Sequence, residues 1–360
     1  TPGHYSAHAD DAAAPDSLVS PVLTGVMSDS GVMVEVGVVH SVTADYTVRG
    51  GSGAMWVGKW GAVNLAEGFT SPQLAAAGLA SAADTIGAGA SPLTISGVAF
   101  DAQGNLWATD YINQQLLKFT PAQLASGQST PTVAILTANE PWGIAFDGEG
   151  NLWVSYYNGN VVHEYPASDV AAWSGALTDP APALSIPTPN GPLNIAFDGS
   201  GNLWVAGFDV PVTYEISAAA IHAGGSVVPT DSLASAYLVH GSGLAFDRSG
   251  NLWEGTEAGY LVGYSSAQLA AASHGEPNFA QVSPTAQFDQ LAFDNAGNLW
   301  AATETPDVLM FSPSQLSSGD VTAGARTLTS AAGDETFGIA FDTHASALPI
   351  ASTLTTGSHA

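Results

Sequence analysis

The chain has 360 residues, with 5 Lys and Arg against 32 Asp and Glu and a formal net charge of −27. Charged residues make up only 10% of it, against about 25% in ordinary domains, so the imbalance is depletion of basic residues rather than enrichment of acidic ones. This disfavours nucleic acid and anionic membrane surfaces, whose phosphates require Lys and Arg. The absence of cysteine excludes disulfides, thiolate zinc sites and a cysteine nucleophile.

Residues 1–17 (TPGHYSAHADDAAAPDS) read as a flexible segment of the kind left after removal of a signal peptide. That sets the expectation of a secreted protein, extracellular or periplasmic. Residues 18–50 contain strand-like runs such as 32–40 (VMVEVGVVH) and read as N-terminal strands packed on, or completing, the domain that follows. No apolar run is long enough to span a membrane.

From residue 51 to 344 one phrase recurs: GVAFDAQGNLW from Gly97, GIAFDGEGNLW from Gly143, NIAFDGSGNLW from Asn194, GLAFDRSGNLW from Gly243 and QLAFDNAGNLW from Gln290. Starts spaced by 46, 51, 49 and 47 residues indicate stacked units of the size of a four-stranded propeller blade. The first half suits an innermost strand. The Asp opens a turn by accepting backbone N–H groups, and the Gly supplies positive φ. Leu-Trp restarts a strand buried on both faces. The periodic Trp56, Trp107, Trp153, Trp204, Trp253 and Trp300 point to packing between blades. A second echo, FTSPQL, FTPAQL, YSSAQL and FSPSQL, reads as an N-cap and one or two helical turns between the third and fourth strands. Fourth strands are expected at 132–137, 183–187 and 326–330. Residues 345–360 read as a tail.

The AFD half-phrase ends at Asp101, Asp147, Asp198, Asp247, Asp294 and Asp342, whereas the Trp half-phrase begins earlier, at Trp56. Circular closure reconciles the two: the C-terminal strand completes a blade with N-terminal strands, giving six four-stranded blades. A seven-bladed alternative uses 32–40, the degenerate phrase at 46–56 and residues 345–354.

The segment 97–119 (GVAFDAQGNLWATDYINQQLLKF) resembles an NHL repeat, with Asp110 and Asn113 at the positions that follow its second strand. The resemblance covers about residues 50–343. It implies an all-β propeller and a protein- or ligand-binding module. Related propellers include metal-dependent lactonases of the gluconolactonase type and the streptogramin lyases. A lactonase-type site would need Glu, Asn and Asp converging on a divalent metal. Asp289 occupies such a position without the family's Pro and Gly around it; Asn194 is displaced by one position, and Glu335 or Glu140 would supply the Glu. A lyase-type site would need a convergent His, and His240 is the His among the loops that enter inner strands.

In a propeller those entering loops share one face with the loops joining second and third strands. The candidate ligand-binding set on that face is Glu140, Trp142, Asn194, His240, Asp289, Glu335, Tyr156 and Glu304, with Trp60, Asp110, Tyr111, Tyr157, Asp209 and Glu257 near it. An acidic, aromatic face suits a sugar or a hard cation, so calcium or another divalent ion is the cofactor to expect if there is one. No P-loop, GxSxG or metalloprotease helix occurs. The sequence therefore favours a non-enzymatic binding or scaffold propeller for a protein or glycan partner, with a metal-dependent lactonase or lyase as the alternative.

Overall fold

The computed structural model describes residues 55–342 apart from 63, 77, 88–92, 272, 284–285, 322 and 331–333. The segments expected at 1–17, 18–50 and 345–360, and with them the extra strands of a seventh blade, lie outside the described residues.

Strands and short helices alternate in a fixed order. β1 (Met55–Ala62) and β2 (Asn64–Phe69) lead into α1 (Ser71–Ala75), β3 (Gly78–Ala80) and β4 (Asp84–Gly87). The next group is β5 (Leu93–Phe100), β6 (Leu106–Asp110), β7 (Gln115–Phe119), α2 (Pro121–Ser126) and β8 (Val133–Leu136). It is followed by β9 (Pro141–Phe146), β10 (Leu152–Tyr156), β11 (Val161–Tyr165), α3 (Ala167–Ala172), β12 (Gly175–Thr178) and β13 (Leu184–Pro187). Then come β14 (Pro192–Phe197), β15 (Leu203–Gly207), β16 (Val212–Ile216), α4 (Ala218–Ala223) and β17 (Asp231–Ala234). After these lie β18 (Gly241–Phe246), β19 (Leu252–Thr256), β20 (Tyr260–Tyr264), α5 (Ser266–Leu269) and β21 (Phe279–Val282). Last are β22 (Leu291–Phe293), β23 (Leu299–Ala302), β24 (Asp307–Phe311), α6 (Pro313–Ser318), β25 (Arg326–Ser330) and β26 (Glu335–Phe341).

From β5 onward each group supplies four antiparallel strands with the AFD strand first and the Trp strand second, whereas the first group starts on the Trp strand β1, which pairs with β2, and β2 with β4. β26 pairs with β1, from Met55↔Phe341 to Trp60↔Glu335, so the AFD strand near one end of the chain and the Trp strand near the other share a sheet. β3 and β12 are parallel additions to β25 and β8, each covering the outer edge of another group's sheet.

The phrase is explained atom by atom. In the first copy Asp101 Oδ1 accepts the N–H groups of Gln103 and Asn105, and Oδ2 accepts the Asn105 amide and the Trp107 indole N–H at 2.9 Å. The same Asp–Trp bond recurs at Trp153, Trp204, Trp253 and Trp300. Gly150, at φ +83°, turns the chain where a side chain would be strained. The Trp rings then pack against the next sheet: Trp107 lies with Ile144, Leu152 and Val154. At the start of the phrase a close approach demands glycine. A Cβ on Gly243 would come within 1.8 Å of the Asp289 carbonyl oxygen.

The second echo forms the helices, but its Gln does more than cap. In α2, Gln123 Oε1 accepts the Thr120 N–H, and its Nε2 donates to the Thr130 carbonyl at 2.5 Å, tying the helix to the loop before β8. Gln73, Gln268 and Gln315 repeat the arrangement.

Candidate functional site

At the opposite end of the inner strands the regularity stops. Register shifts interrupt the inner pairing at Ile95/Gly97, Val154/Tyr156, Pro192/Ile195 and Gly241/Leu244, splaying the strand ends at the mouth. Hydroxyls bridge the displaced strands: Thr109 Oγ1 donates to the Trp142 carbonyl at 2.6 Å, and Ser155 Oγ donates to that of Leu193.

An aromatic cluster sits here. Trp142, Leu193 and Phe337 form its buried part, with Trp60, Tyr111, Tyr157 and Phe208 against them. Trp60 stacks on Phe337 with centroids 4.6 Å apart and on Tyr111 at 5.7 Å. Tyr111 meets Trp142 edge-on at 5.0 Å, Tyr157 meets Phe208 at 5.9 Å, and Phe208 stacks on His240 at 4.6 Å. Acidic groups line it. Glu140 takes a hydrogen bond from the Asn158 amide, and Asp209 takes one from the Tyr157 hydroxyl at 3.4 Å. Burial, with Glu140 beside it, pushes the Tyr111 hydroxyl up to about 12; burial and then Asp209 raise that of Tyr157.

Next to the aromatics lies a group of carboxylates. One oxygen from each of Glu257, Asp289 and Glu304 lies within 4.8 Å of the others. Glu257 follows β19, Asp289 precedes β22 and Glu304 follows β23. Asp289 is fully buried, and its Oδ1 accepts the Ser242 hydroxyl at 2.8 Å. Its Oδ2 and Glu304 Oε1 are buried without a hydrogen-bond partner. Burial, then Glu304 and Glu257, hold Asp289 well above the ordinary carboxylate range. Burial, then Glu304, push Glu257 up to about 7; burial, then Glu335, raise Glu304. Glu304 has φ +50°, a backbone conformation rarely adopted by a residue with a side chain. The chemistry of the set is that of hard oxygen donors, and it fits a divalent cation.

The sequence-derived set thus divides. Trp142 is in the aromatic cluster, with its indole N–H buried and unpartnered. Glu140 is at the rim, and His240, at φ +53°, is exposed over Phe208. Asp289 and Glu304 are in the carboxylate group, and Glu335 is exposed beside Glu304. Asn194 is buried at a position where the other copies mostly have Gly, and both of its amide atoms lack partners. Gln290, at the same phrase position, is fully engaged: it accepts from the N–H groups of Val98 and Ile339 and donates to the Val98 carbonyl, tying three inner strands together. Tyr156 is not brought to the mouth. The strand alternation turns it inward, where its hydroxyl meets that of Tyr165 at 2.9 Å, and its neighbour Tyr157 faces the cluster instead. Asp110 is likewise internal, accepting from Thr94 and Asn113 as the turn after β6 requires.

No family model matches the chain, and no curated protein matches it in sequence. Solved structures do match in fold. A protein of unknown function from Bacteroides caccae superposes with a TM-score of 0.56 at 12% identity, over 79% of this chain and 97% of that one. A chain of a nidogen/laminin complex gives 0.55 at 15% identity, with the same coverage. The fold is a β-propeller. A streptogramin B lyase gives 0.50 at 12% identity, over 75% of this chain and 80% of the lyase. No helix among the described residues of the propeller is long and apolar enough to cross a membrane.

Proposed function

We propose that this propeller is a secreted, non-enzymatic binding module that takes a protein or glycan partner at its axial mouth. In this reading the sheets make six blades, and β26 closes the ring by completing the blade begun by β1. The observation that carries the functional reading is the aromatic cluster at the mouth, half-exposed rings flanked by carboxylates, an arrangement suited to stacking on a sugar or holding a basic side chain. The depletion of Lys and Arg agrees with partners other than polyanions.

The test is a glycan array followed by titration of the best-bound saccharide, read by tryptophan fluorescence. Tyr157→Ala and Phe208→Ala should each weaken binding about tenfold, the equivalent of about 1.4 kcal/mol, while leaving the circular dichroism unchanged. A blank array would remove the glycan half of the reading. The carboxylate group favours a second reading, a metal-dependent lactonase or lyase. Turnover of a lactone panel that requires a divalent ion and survives Tyr157→Ala would establish it in place of the first.

A further inference from the structure

We infer that Glu257, Asp289 and Glu304 form a calcium site at the edge of the propeller mouth. The inference stands apart from the identity of the mouth ligand. Three acidic side chains alone would not carry it. The second observation is Asp289, whose side chain has no solvent exposure. Only one of its oxygens is satisfied by a donor from outside the group, the Ser242 hydroxyl; without a cation, Oδ2 and Oε1 of Glu304 have only a proton shared between the two acids to relieve them. A buried carboxylate with an open lone pair costs free energy unless a cation or a proton meets it.

The described residues place no Lys or Arg there. Among the described residues Lys59 is held by Glu67 at 3.5 Å and by the Asp334 carbonyl, and Lys118 lies over the Trp107 ring. Arg248 donates to the Asn295 carbonyl and Arg326 to that of Leu74. The spacing suits calcium. Oxygens bound at about 2.4 Å to one calcium ion can stand up to about 4.8 Å apart, and calcium accepts an irregular shell completed by water, whereas magnesium demands near-ideal octahedral geometry. The three oxygens lie within 4.8 Å of one another. Water would complete the shell, since the acids come from two adjacent sheets on one side of the mouth. Glu304 holds its place in the group with a left-handed backbone, φ +50°, that a residue with a side chain rarely adopts.

The experiment uses the full chain, stripped of metal by a chelating resin, and calcium alone as the probe. Calorimetry near pH 8 should show one saturable site with Kd on the order of 10⁻⁴–10⁻³ M, typical of open extracellular sites. At a hundredfold excess over Kd the melting temperature should rise by roughly 5 °C. Asp289→Asn and Glu304→Gln should each weaken binding at least tenfold. The Asn variant should also melt higher than the wild type when metal is absent, because it no longer buries an ionisable group. Absence of saturable calcium binding overturns the inference. So does equal binding by the wild type and both variants, or a melting shift matched by NaCl at the same ionic strength, which would reflect screening of the net charge. A site that takes magnesium and refuses calcium overturns the calcium assignment.

Discussion

The two ends of the inner strands use the same residue type in opposite ways. At the turn end, Asp101 is buried to 5% exposure and its two oxygens accept from backbone, amide and indole donors. At the mouth, Asp289 is buried further and accepts one bond. A carboxylate whose lone pairs are filled stabilises the fold, whereas one left open destabilises it unless something binds. Repetition marks the first kind of site. Departure from repetition marks the second: Asn194 and Gln290 stand where the phrase mostly has Gly, and Glu304 adopts a conformation that favours glycine.

The largest effect should come from breaking the satisfied end. Asp101→Ala removes the acceptor of the Trp107 indole and of the Asn105 amide, and both groups are buried. Leaving several buried donors unpaired should cost about 3–5 kcal/mol, measured as a fall in the urea midpoint. Asp101→Asn, which keeps one acceptor oxygen, should recover part of the loss. A change below about 1 kcal/mol would show that the turn is held by backbone geometry alone.

Between the two ends lies Glu254 on β19, which sharpens the contrast. It is fully buried, accepts the Thr213 hydroxyl on one oxygen and has no partner on the other. Burial pushes its carboxyl from 4.5 up to about 8. Between these values the folded chain holds a proton that the unfolded chain has released, so stability falls as pH rises from about 4.5 to about 8 and is flat above. Glu254→Gln should remove that slope. It should match the wild type near pH 5 and exceed it by about 2–3 kcal/mol near pH 9, short of the full linkage because the amide brings a donor of its own. Parallel pH profiles for the two proteins would mean that Glu254 does not titrate in this range.

Much of this was legible in the sequence, and the limits have a physical pattern. The phrase disclosed strand, turn and restart because each copy obeys the same local rules. The fourth strands expected at 132–137, 183–187 and 326–330 appear as Val133–Leu136, Leu184–Pro187 and Arg326–Ser330. The indole-to-Asp bond went unread: periodic Trp signals packing, while its N–H partner lies six residues back across a turn. The mouth was legible as a set of loops but not residue by residue. Whether Tyr156 or Tyr157 faces the axis depends on where the strand register shifts, which no local signal announces. Glu254 and Lys59 escaped notice because their burial is set by how closely neighbouring sheets approach.

The smallest expected effect tests a choice repeated on the ordered side. A capping box accepts Glu as readily as Gln, because only an acceptor is needed at the third helical position. Yet Gln73, Gln123, Gln268 and Gln315 fill that position here. The reason lies in the second half of the amide: Gln123 Nε2 donates to the Thr130 carbonyl at 2.5 Å, which a carboxylate cannot do. Gln123→Glu should keep the helix cap but set a carboxylate oxygen against that carbonyl, costing about 1–2 kcal/mol in the urea midpoint at neutral pH. Lowering the pH should relieve part of the loss, because a protonated Glu regains a donor. Equal stability of the two proteins at neutral pH would assign the recurring Gln to capping alone.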